Sequence, residues 1–86
     1  MNEERLNEIC ETYPDLLKMD GYDHCIIGVM ERANGDHCLA YSIEKIIDSH
    51  MEDGMDFDEA FDYFYFNQRC AWHGENTPCF IEEIDN

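Results

Sequence analysis

Asp-His-Cys occurs twice in this chain, at Asp23-His24-Cys25 and at Asp36-His37-Cys38. Two histidines with two cysteines are a ligand set suited to structural zinc. The spacing argues against a shared metal. Asn34-Gly35 reads as a two-residue hairpin turn, because both residues tolerate positive φ. That turn pairs His37 with Arg32 and leaves His24 eight residues further along the strand. The separation is roughly 26 Å at about 3.3 Å per residue, so no metal and no cofactor is expected.

Other constellations fare similarly. Asp53-Gly54 sits in an acidic run, but setting Gly54 at the sixth position of a calcium loop places Ser49 first and Ala60 twelfth. Neither supplies the carboxylate those positions need. Cys70 and His73 could form a nucleophile and base pair, yet a core cysteine and a loop histidine account for the same residues. The chain has no Gly-rich phosphate loop, nucleophile elbow or HExxH pattern. An enzyme is not expected.

The carboxylates are more organised. Glu44, Asp48 and Glu52 recur at i, i+4 and i+8, one stripe on a helix with steps of about 6 Å. Asp58 and Asp62 repeat the spacing, with Asp53, Asp56 and Glu59 nearby. Like charges at i, i+4 weaken a helix, so propensity does not explain the pattern. A solvated face would. So would a row of carboxylates imitating a phosphate backbone and competing for Lys/Arg grooves.

Charge across the whole chain points the same way. Twenty-one acids against five Lys and Arg give a formal net charge of -16 in 86 residues. Such a field repels nucleic acid and attracts cationic surfaces. Apolar residues make up 44% and aromatics 13%, too many for a disordered acidic chain, so the acid is carried on one folded domain spanning residues 1–86. No apolar run is long enough for a membrane span. The acidic Met1-Asn2-Glu3-Glu4-Arg5 start is unlike a secretory signal. Five cysteines, an odd number without a CxxC pair, are expected as free thiols in a cytoplasm.

The elements that must position these groups follow from periodicity. Leu6, Ile9, Cys10 and Tyr13 predict a first helix in a segment from about Glu3 to Leu17, ended or kinked by Pro14. Cys25–Glu31 and His37–Tyr41 predict a hairpin, with Gly28 marking a bulge or close approach. Ser42 caps a helix from Ile43 to about Glu52, whose apolar face is Ile43, Ile46, Ile47 and Met51 and whose stop is Gly54. Asp56 with Glu59 opens another helix, reaching about Arg69, with Ala60, Phe61, Phe64 and Tyr65 inward. Consecutive aromatics at 63–66 cannot all face one core, and an exposed Tyr63 or Phe66 would suit an interface. Cys79–Ile81 with Ile84 predicts a last strand. The order α-β-β-α-α-β predicts an α+β domain, a small antiparallel sheet (the hairpin plus the C-terminal strand) covered on one face by about three helices.

Three groups of residues carry a resemblance. They are Asp20-Gly21-Tyr22-Asp23 with Ile26-Ile27-Gly28-Val29; Asp53-Gly54-Met55 with Glu59-Ala60-Phe61 and Phe64-Tyr65-Phe66-Asn67; and Ala71-Trp72 with Gly74-Glu75 and Thr77-Pro78. Together they resemble a group of small proteins of bacteriophages and bacteria, over about Asp20 to Phe80. The resemblance implies a phage-type accessory protein made inside a bacterium and carries over no catalytic residue.

The leading expectation is a non-enzymatic interaction protein that blocks a basic nucleic-acid-binding protein of the host, as an anti-CRISPR or anti-restriction inhibitor would. Its partner-binding residues are Glu44, Asp48, Glu52, Asp56, Asp58, Glu59 and Asp62. Two other expectations stand beside it. One is a small enzyme or ligand-binding domain centred on Asn67, Trp72, His73 and Glu75. The other is a regulatory or structural subunit whose acidity only maintains solubility.

Overall fold

A computed structural model describes residues 3–68 and 76–84. Its elements are α1 (Glu3–Thr12), β1 (Ile26–Glu31), β2 (His37–Ser42), α2 (Ile43–Glu52), α3 (Phe57–Tyr63) and β3 (Cys79–Ile81). A 3-10 turn at Asp23–Cys25 precedes β1, and a π-helical turn at Phe64–Gln68 extends α3. The class and order are the expected α+β, α-β-β-α-α-β. Among the described residues, no helix is long and apolar enough to cross a membrane.

The local signals act where they were read. The Ser42 hydroxyl accepts from the Lys45 N–H at 3.2 Å. The Asp56 carboxylate accepts from the Glu59 N–H at 2.9 Å. Each satisfies a helix-end donor that lacks an intrahelical acceptor. Gly54 takes φ +109, and the Met55 and Gly54 N–H groups close back onto the carbonyls of His50 and Met51. A left-handed residue after the last turn is what that closure requires. The first helix ends two residues before Pro14.

The hairpin register differs from expectation by one residue. His37 pairs with Glu31, not Arg32. The Arg32 N–H donates to the Asp36 carbonyl at 2.7 Å and the Gly35 N–H to the Arg32 carbonyl at 2.9 Å, which leaves Ala33, Asn34 and Gly35 as the loop. Gly35 alone takes positive φ there, at +92. This is the three-residue hairpin loop with a left-handed last residue, favoured next after the two-residue turn. At the other end of β1, Ile26 pairs with Tyr41 and Gly28 with Ala40. Ile27 is the extra residue of a bulge, at the place Gly28 marked.

The sheet order is β1-β2-β3, and β3 lies parallel to β2. The sheet is thus mixed, not wholly antiparallel. A parallel neighbour needs a crossover of a dozen residues or more, and residues 43–78, which hold α2 and α3, supply it.

Leu39 and Tyr41 from β2 join Ile26, Ile46, Ala60, Phe64 and Leu6 in one buried cluster. Phe80 from β3 packs against it, its ring 6.2 Å from Tyr41 and 5.0 Å from Phe64. Two inward assignments change. Met51 is 40% exposed and its place on α2 is taken by buried His50. Phe61 is also 40% exposed, while Ala60 and Phe64 are buried as expected.

Burial also sets the alkaline limit of this fold. It pushes the Tyr41 phenol up from 10.0 to about 12, although the Met19 N–H donated to that oxygen at 2.8 Å opposes the shift. It pushes the Cys25 and Cys79 thiols up from 9.0 to about 11. The unfolded chain releases these protons first, so above pH 9 it binds fewer protons than the folded state. Stability from these groups is therefore complete below pH 9 and is lost as pH rises towards 11 and 12. Melting temperature measured against pH should fall across that window. A level profile between pH 9 and 11 would contradict the burial of these three groups.

Candidate interaction surface

All seven expected partner-binding carboxylates, Glu44, Asp48, Glu52, Asp56, Asp58, Glu59 and Asp62, are exposed. The ion pairs among the described residues lie elsewhere, at Arg5–Glu8, Lys18–Asp23 and His37–Glu31. Asp56 is engaged as a helix cap. The other six are exposed and form no ion pair among the described residues.

The structure does not gather the seven into one row. Glu44 and Asp48 edge a groove of about 270 Å³ between α2 and α3, in which Phe57, Phe61 and Tyr65 form one wall and Glu82 a further edge. Asp48 and Glu52 edge a second depression with His24, Lys45 and Ser49. Glu59 and Asp62 edge a third with Met55, Tyr63 and Phe66. Helical geometry produces this division. Residues 57, 61 and 65 recur four apart and share one flank, while 58 and 62 sit about 100° further round.

The aromatics are divided the same way. Phe57 is 55% exposed and Phe66 78%. The ring centroids of Phe57 and Phe61 are 6.0 Å apart and those of Phe61 and Tyr65 4.4 Å apart, each pair inclined by 35°. The result is a ladder of rings along the groove. The anchor positions expected at Tyr63 and Phe66 are exposed, but they belong to the depression on the other flank of α3.

The two Asp-His-Cys triplets have different surroundings. His24 is exposed beside α2. His37 stacks on Tyr13, with centroids 4.1 Å apart, and its Nε2 lies 3.2 Å from Glu31 Oε1 across the hairpin. Among the described residues, no three His, Cys, Asp or Glu side chains are placed to hold one metal ion. Cys10, Cys25, Cys38 and Cys79 are free thiols. Cys70, Trp72, His73 and Glu75 lie outside the described residues. Asn67, the remaining member of that second expected site, is exposed on the π turn. It borders a cavity of about 530 Å³ with Leu17, Met19, Gln68 and Phe80.

Sequence reasoning missed His50. Its Nε2 lies 2.8 Å from Gln68 Oε1, within hydrogen-bonding distance. The rings of Tyr22 and Tyr63 meet it edge-on at 5.7 and 4.9 Å. The imidazole thus ties α2 to the π turn. The spacing held the signal, since residue 50 follows Ile46 by four and Ile47 by three and lies at the centre of the apolar stripe.

Comparison with known families, curated proteins and solved structures gives no match.

Proposed function

We propose that this chain is an acidic interaction protein that occupies the basic groove of a nucleic-acid-binding protein, a phage-type inhibitor acting in a bacterial cytoplasm. The observation that carries the reading is the exposure of Glu44, Asp48, Glu52, Asp58, Glu59 and Asp62, none of which forms an ion pair among the described residues. Unneutralised carboxylates on two adjoining helices offer a Lys/Arg groove what a phosphate backbone offers it. They do so on a preformed scaffold, so less ordering entropy is lost on binding than with a disordered acidic tail.

The test is capture from bacterial lysate at low and at moderate salt, identification of the captured protein, and competition with nucleic acid. The expected partner is basic and binds nucleic acid, its capture weakens with salt, and nucleic acid displaces the chain. A partner that holds nucleic acid and this chain together would overturn mimicry. The cavity beside Asn67 supports a second reading, a ligand-binding domain. Charge reversal on α2 and α3 separates the two, because a pocket at Asn67 would keep its ligand.

A further inference from the structure

We infer, resting on the reading that the partner is basic, that the groove between α2 and α3 takes an arginine side chain of the partner protein, its guanidinium stacked on the Phe57–Phe61–Tyr65 ladder and held by Glu44, Asp48 and Glu82. Acidity alone would not select arginine over lysine. The ladder does. A guanidinium is planar, weakly hydrated and stacks on aromatic faces, whereas an ammonium is a compact, strongly hydrated point charge. Stacking on a ring adds cation–π attraction to the charge, and a carboxylate can accept two guanidinium N–H groups at once.

The groove has the features this requires. Phe57 and Phe61 are exposed, and their rings with Tyr65 form an unbroken series at 6.0 and 4.4 Å. Ile47 lines the groove with them, and Glu44, Asp48 and Glu82 are its charged edges. All three carboxylates are exposed, and none forms an ion pair among the described residues. Among the described residues no basic side chain lines the groove, and Lys45 on the same helix borders the neighbouring depression. A surface acidic only for solubility has no use for the exposed rings of Phe57 and Phe61, each of which adds apolar area in contact with water. A partner segment carrying arginine among apolar residues would cover both the rings and the charge.

The experiment uses three capped leucine-containing peptides that differ only in carrying arginine, lysine or citrulline at the same positions. Binding to the full chain is followed by NMR of the Phe and Tyr ring signals at about 0.15 M salt, where the Debye length is about 8 Å. The arginine peptide should bind about three- to fivefold more tightly than the lysine peptide. Neutral citrulline should not bind detectably. The shifted ring signals should be those of Phe57, Phe61 and Tyr65. Phe61→Ala should erase the preference for arginine. The double variant Glu44→Gln/Asp48→Asn, which leaves every ring in place, should weaken both cationic peptides. Equal affinity for arginine and lysine, unchanged by Phe61→Ala, would overturn the groove while leaving the basic-partner reading intact. Binding of citrulline as tight as that of arginine would also overturn it. If the reversals of α2 and α3 charge leave lysate capture unchanged, the basic-partner reading falls as well.

Discussion

Replacing Phe64 by alanine should come close to unfolding this protein at room temperature. The side chain is fully buried at the junction of α3 and the π turn. Its ring meets Tyr65 and Phe80 edge-on, each at 5.0 Å, which ties the helical hairpin to β3. Removing a buried phenylalanine costs about 3–5 kcal/mol, and the lost edge-to-face pairs are already part of that loss. A domain of this length has a total stability of only about 4–13 kcal/mol. Thermal denaturation should show a melting temperature lower by at least about 12 °C, since about 1 kcal/mol corresponds to 4–8 °C in a small domain. Phe66→Ala is the matched control. Two positions along the chain and 78% exposed, it should change stability by no more than about 0.5 kcal/mol. Similar melting temperatures for the two variants would mean that the sheet and helices do not share the core described above.

Reversing Asp48, Glu52, Asp58 and Asp62 to lysine should produce the largest functional effect. The four side chains are exposed and make no ion pair among the described residues. Folding should survive for that reason. Each reversal changes the charge by two units, so the formal net charge falls from -16 to -8 and self-repulsion decreases. The local costs are at Asp58, in the first turn of α3, where a positive charge opposes the helix dipole by about 0.3–1 kcal/mol, and at Asp48, whose reversal sets a like charge three residues from Lys45. Binding to the partner should fall about a hundredfold or more, because both steered encounter and charge complementarity are removed. Circular dichroism checks the fold and titration against the captured partner checks the affinity. If the folded variant binds as wild type does, the carboxylates are a solvated face and the interaction-protein reading is lost.

The comparison of residues 42–57 with residues 31–37 explains what could be read in advance. Ser42, Gly54 and Asp56 act within three to five residues of themselves, through one hydrogen bond or one positive φ, so their roles were legible without the fold. Asn34-Gly35 announced a turn equally well. Its length was not legible, because a two-residue and a three-residue loop use the same dipeptide, and the choice moved His37 from Arg32 to Glu31. His50 escaped the sequence reading because a polar residue on an apolar stripe needs a partner to be buried. That partner, Gln68, lies eighteen positions away.

By itself, the sequence determined the element order, the helix caps and the overwhelming negative charge, and Gly28 marked where the first strand departs from regularity. Each rests on local backbone preference, on periodicity or on composition. Only the tertiary structure decided that β3 runs parallel to β2, that the expected carboxylates border separate depressions, and that Phe57, Phe61 and Tyr65 line a groove with Glu44, Asp48 and Glu82. Those outcomes depend on how α2 and α3 cross between two strands of one sheet. Contacts between residues far apart in the chain set that packing; the four-residue spacing of Phe57, Phe61 and Tyr65 puts them on one flank but does not say which element faces it.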